Sequence, residues 1–93
     1  MKLKPRHAGI AIIVNVGDGL VILEEYLKHP LGKSNLYKVD RNFSFVWEAK
    51  LVHNSQIFYN LVIDGPLLKV HDDSGEAQVN PQTGELTNWV LTK

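Results

Sequence analysis

Alternation of apolar and polar residues with a period of two, broken at short and regular intervals by turn chemistry, constrains this chain more than anything else in it. Gly9–Val16 places Ile10, Ile12, Val14 and Val16 on one face. Gly17-Asp18-Gly19 follows and signals a hairpin, because glycine reaches positive φ without steric penalty. Leu20–Leu27 reads as the return strand, His29–Ser34 as a Pro/Gly-punctuated loop, and Leu36–Asp40 as a third strand. In Phe45–Leu51, the residues Phe45, Trp47, Ala49 and Leu51 point one way and Glu48 and Lys50 the other. Ile57–Asp64 is the most strand-like run, with Ile57, Tyr59, Leu61 and Ile63 on one face, ended by Gly65-Pro66. Leu68 and Val70 face inward in the next strand, with Lys69 and His71 outward. Asp73-Ser74-Gly75 turns the chain, Ala77 and Val79 continue the inward pattern, and Glu85–Thr92 is the last strand. Helical periodicity is nearly absent, and no connection is long enough for a parallel crossover. The reading is therefore all-β, about eight short antiparallel strands in a meander, in a single domain spanning residues 1–93.

Chain size and charge limit what such a meander does. With 93 residues, the domain buries only about 60–65% of its unfolded surface, so its stability margin is thin. Ten Lys/Arg balance ten Asp/Glu, so no overall field draws in nucleic acid or an anionic membrane. Lys2, Lys4 and Arg6 form a small basic cluster read as a solvated tail. The chain has no cysteine, which excludes disulfides and thiolate metal sites and fits a reducing, cytoplasmic setting. Ala8–Val16 follows basic residues, yet it lacks a small-x-small cleavage site and reads as a first strand rather than a signal peptide.

The chain also repeats itself. Leu36–Trp47 has a counterpart in Glu76–Trp89, each with a strand, an Asp or Asn, a turn and a second strand bearing tryptophan. The blade-like halves are about residues 8–51 and 57–92. Val79-Asn80-Pro81-Gln82-Thr83-Gly84-Glu85 with Trp89 resembles the blade repeat of quinoprotein-type and WD-repeat-like β-propellers. The resemblance covers about residues 19–91, and the upstream copy departs from it at Phe43, where glycine is expected. It implies two four-stranded units, too few for a propeller ring. They are expected to form a small sandwich or barrel with Trp47 and Trp89 inside; the alternative is that several copies complete a larger assembly. No quinone cofactor is implied.

Candidate sites are few. The histidines at positions 7, 29, 53 and 71 make no metal-ligand spacing, and no cofactor is expected. His71-Asp72-Asp73 is the best polar cluster, with His71 and Asp73 on the solvent face, and Asp73 is read as the acceptor that holds its turn. Glu24 and Glu25, consecutive on a strand, point to opposite faces and are poorly placed to cooperate as acid and base. The serines at 34, 44, 55 and 74 lie in turns without a nucleophile-elbow context. Phe43 at a turn tip and Phe58 on the mixed face of its strand are the aromatics expected to be exposed. Phe43, Phe58, His71 and Asp73 are thus the candidate interaction surface. The functional expectation is a non-enzymatic binding or protein-interaction module, with self-association through edge strands included, and without nucleic acid or membrane partners. The alternative is a small-molecule binder or minor enzyme with a pocket in a curled sheet.

Overall fold

A computed structural model describes residues 3–27, 29–53 and 55–91. Eight strands follow in chain order: β1 (Ile10–Asn15), β2 (Gly19–Glu24), β3 (Leu36–Asp40), β4 (Phe45–Glu48), β5 (Asn60–Asp64), β6 (Leu67–His71), β7 (Gly75–Val79) and β8 (Leu86–Leu91). They form two four-stranded sheets in the orders β1-β2-β3-β4 and β5-β6-β7-β8, every neighbouring pair antiparallel. Among the described residues no ladder joins the two sheets, so the fold is a sandwich and not a closed barrel.

The core lies between the sheets. Val14, Val21, Leu23, Leu36, Trp47 and Ala49 of the first half meet Phe58, Leu61, Leu68, Val70, Ala77 and Val79 of the second. Trp89 packs half-buried against this cluster, and Trp47 is buried. Burial of aromatics of this size dominates the core energetics.

Besides a shift in the β7–β8 ladder between Glu76 and Gln78, three departures from simple alternation matter for which side chains face inward. The β1–β2 ladder shifts between Ile10 and Ile12. Ile10 therefore joins a separate cluster on the far face, while Ile12, Val14 and Val16 stay with the core. In β4 a bulge pairs Lys38 with Trp47 but Val39 with Phe45, leaving Val46 as the extra residue. The parity flips, so Trp47 turns inward while Phe45 turns outward and is 53% exposed. At the start of β5, the backbone of Phe58 is caught by the Asn35 side chain, which accepts its N–H (3.0 Å) and donates to its carbonyl (2.6 Å). The ladder begins only at Asn60, Phe58 and Leu61 point inward, and Tyr59 and Ile63 are left largely exposed.

Polar clamps join the sheets across the core. The Pro81 carbonyl accepts the Lys38 ammonium (2.8 Å) and the Trp47 indole N–H (3.1 Å). Lys38, almost wholly buried, also reaches Asp18 (2.8 Å). Asn35 donates to the Glu24 carbonyl (3.0 Å) as well as to Phe58. Gln56 donates to Asp72 (2.9 Å), stitching the linker to the β6–β7 turn.

The β3–β4 and β7–β8 turns have related hydrogen-bond plans, the second longer by one residue. Phe43 N–H donates to the Asp40 carbonyl, and Gly84 N–H donates to the Asn80 carbonyl. The Asp40 and Asn80 side chains both accept backbone N–H groups inside their turns. Val39 belongs to the outer cluster and its counterpart Val79 to the core. Both therefore point the same way in space, as when one sheet is stacked on a copy of itself.

Candidate interaction surface

β2 and β3 are buried on both faces, the pattern of strands covered from two sides. Their outer face holds a second cluster of Ile22, Tyr37 and Val39, with Leu3, Ile10, Leu20 and Phe43 packed against it. What covers this face is the segment of residues 3–9, which crosses it as a strap.

One buried carboxylate anchors the strap. Glu24 Oε1 accepts the N–H groups of His7 (3.0 Å) and Ala8 (2.9 Å). Its Oε2 accepts the Arg6 N–H (2.5 Å) and the Tyr37 hydroxyl (2.6 Å). Burial pushes the Glu24 carboxyl up, but the Tyr37 hydroxyl and the three amides outweigh it and hold the group below its ordinary range. Burial and the adjoining Glu24 carboxylate raise the Tyr37 phenol. His29 lies in the same buried cluster. Its Nε2 donates to the Lys33 carbonyl (2.8 Å), and Nδ1 sits 3.8 Å from Glu24 Oε1 without a hydrogen-bond partner. Burial holds the imidazole below its usual range, which favours the neutral ring.

Beside the strap runs a groove of about 370 Å³, between Leu3, Lys4 and Arg6 on one side and Tyr37, Phe43 and Phe45 on the other. The Arg6 guanidinium lies over both rings that flank it, 5.2 Å from the Tyr37 centroid and 4.5 Å from that of Phe45. It also reaches Glu48 at 3.6 Å. Among the described residues Lys4 enters no ion pair. Phe43 has φ +66°. A bulky residue there is a strained outlier, costing on the order of 1–3 kcal/mol. Its counterpart Gly84, φ +78°, occupies that conformation freely, and a Cβ there would lie 2.5 Å from the Trp47 ring. The glycine expected at position 43 is thus demanded by the backbone; the chain puts a phenylalanine there, with its ring on the groove. β4 is one of the two outer strands of this sheet, and among the described residues no strand pairs with its far side.

The residues picked from the sequence do not converge. Phe43 lies on the groove. Phe58 is fully buried in the core, which corrects the expectation that it is exposed; the Asn35 clamp turns its ring inward. His71 lies on the outer face of the second sheet, its Nε2 2.8 Å from Glu76. Asp73 is exposed but does not hold its turn. The buried Asp72 does, accepting Ser74 N–H and hydroxyl (both 2.9 Å) and Gly75 N–H (3.0 Å). Burial raises Asp72, and its bonds from Gln56, Ser74 and Gly75 bring it below the ordinary range. Glu24 and Glu25 do face apart, Glu24 buried and Glu25 exposed. The sequence reasoning missed Glu24, Arg6 and Phe45. An acid sharing parity with Leu20 and Ile22 was the available sign for Glu24.

Elsewhere the surface carries a second aromatic cluster, in which the exposed Tyr59 ring lies 6.4 Å from Tyr26 and 6.3 Å from His71. The outer face of the second sheet carries Lys69, His71, Glu76 and Gln78, with Lys69 paired to Asp64 (2.9 Å) and Gln78 accepting from Asn88 (3.1 Å). Two other hollows, about 480 and 580 Å³, lie beside Val14, Ile63 and Pro81 and beside Leu51, Leu86 and Trp89; Trp89 is their one aromatic ring. Among the described residues no group of three or more His, Asp or Glu side chains is arranged to hold a metal ion. Comparison of the chain with protein-family models, with curated proteins and with solved structures gives no significant match.

Proposed function

We propose that the protein is a non-enzymatic protein-interaction module whose binding surface is the strap-side groove of the first sheet. The observation that carries this reading is Phe43. A non-glycine residue held in the left-handed region at a cost is a mark of functional selection, and here it adds a third aromatic ring to a groove that Arg6 and Lys4 make cationic. Aromatic and arginine side chains are the commonest anchors of protein interfaces.

The likeness to propeller blades belongs to the same reading. It is supported by the related turns and by Val39 and Val79 pointing one way. The polar outer face of the second sheet argues against head-to-tail completion of a ring, because stacking would bury its Lys69, His71 and Glu76. Self-association, where it occurs, would join two copies through their strap-side faces. We place the protein in the cytoplasm, as its lack of cysteine suits; no helix among the described residues is long and apolar enough to cross a membrane.

The test is site-directed photo-crosslinking in the source cell, with the crosslinking amino acid at Phe45 and, in parallel, at Thr87 on the second sheet. A discrete protein adduct at position 45 and none at 87 is expected, with an adduct of twice the chain mass marking a second copy. Adducts at 87 alone, or at neither position, would overturn the reading.

A further inference from the structure

The groove also specifies what it takes. Resting on the interaction reading above, we infer that its partner is an extended protein segment that alternates apolar and acidic side chains and lies along the free edge of β4.

Three features lead there. First, β4 is an outer strand, so an incoming extended chain can add its backbone hydrogen bonds to the sheet. At four residues and with a bulge, β4 offers room for a short segment rather than for a whole second sheet. Second, the β4 bulge brings both Phe45 and Glu48 to the outer face, so a strand added there sets its alternate side chains beside the exposed Phe45 and toward the half-buried Phe43 at the end of the strand. These want apolar partners. Third, the solvent-facing charged groups at the groove are Lys4 and Arg6 against Glu48, the Glu24 carboxylate lying buried beneath them and already committed to the strap amides and Tyr37, so the surface of the groove carries more positive than negative charge. The Arg6 guanidinium lies over two rings and meets Glu48 only at 3.6 Å, so its fork can take a carboxylate with two parallel bonds. An acidic residue of the partner displaces Glu48 from that position. Glu48 thus acts as a weak internal competitor for the site.

The test is an NMR titration of the full chain with three probes: a short alternating Asp–Leu peptide, its Lys–Leu counterpart and a single-stranded oligothymidylate. The Asp–Leu peptide should shift the amides of Phe43 and of Phe45–Glu48. Arg6→Glu should weaken it by about tenfold or more, and Glu48→Gln should strengthen it several-fold. Phe45→Ala, at an exposed position, should weaken binding with an unchanged fold and so separates recognition from stability. Equal response to the two peptides, a stronger response to the oligonucleotide, shifts centred on β8, or weaker binding by Glu48→Gln would overturn the inference. If no peptide binds but the crosslinker at position 45 still captures a protein, the acidic segment is wrong and the interaction reading survives. If both experiments fail, both are wrong.

Discussion

The two sheets share a strand order, related turn plans and a direction of stacking, yet their outer faces have opposite chemistry. The first sheet exposes an apolar face that requires a cover, and the strap supplies it through one carboxylate. The second carries Lys69, His71, Glu76 and Gln78, polar and half-buried. The turns differ in the same sense. Gly84 relaxes under the Trp47 ring, and Phe43 is strained to place a ring on the groove. A repeated plan thus fixes architecture, and the departures from it mark where one copy has been given something else to do.

The contrast can be broken in four ways, in descending order of expected effect. Glu24→Gln should cost about 3 kcal/mol in urea denaturation, because it turns a buried acceptor of four hydrogen bonds into a group that is partly a donor. A loss no larger than that of a surface substitution would mean that the strap is not anchored there. Gly84→Ala should cost about 2 kcal/mol, from the left-handed backbone and the encroachment on Trp47; an unchanged midpoint would remove the glycine requirement.

Acid should loosen the first sheet before the second. His29 is held below its ordinary 6.5, so below that pH the unfolded chain binds the extra proton and stability starts to fall. Glu24 is held below 4.5; its contribution is complete above that value and is lost as pH falls through the lower folded pKa. Asp72 in the second half follows the same sign, but only below 3.8. Hydrogen exchange on stepwise acidification should therefore release the Arg6, His7 and Ala8 amides before those of Ser74 and Gly75, and the reverse order would contradict the contrast. The smallest effect belongs to Phe43→Gly. Relief of backbone strain and loss of a half-buried ring should offset to within about 1 kcal/mol, and a calorimetric Tm that moves little would leave recognition as the reason for the phenylalanine.

Much of the architecture was legible because period-two alternation and Gly/Pro/Asn turns are local signals. The strands, the meander order, the inward Trp47 and the outward Lys69 and His71 all follow from them. What alternation does not encode is a bulge, which costs one residue and inverts every face after it; hence Phe45 was assigned to the side of Trp47. Nor does it encode a side chain that imitates a strand, as Asn35 does for Phe58. The site was less legible still. Phe43 was visible twice, as an aromatic at a turn tip and as a misfit to the repeat. The role of Arg6 depends on a tail folding back onto a sheet, and Glu24 on three amides from that tail, contacts between residues 16 to 18 positions apart that no local pattern announces.

The Pro81 carbonyl, with one donor from β3 and one from β4, carries a consequence for how the molecule comes apart. A main-chain oxygen survives any substitution of its own side chain, so this link between the halves is robust to mutation at position 81. Each half also leaves its share of the core and of the Asn35 clamp to the other. A chain cut in the linker between Leu51 and Gln56 would give two fragments that fold only on meeting, a split pair that reassembles rather than two miniature domains.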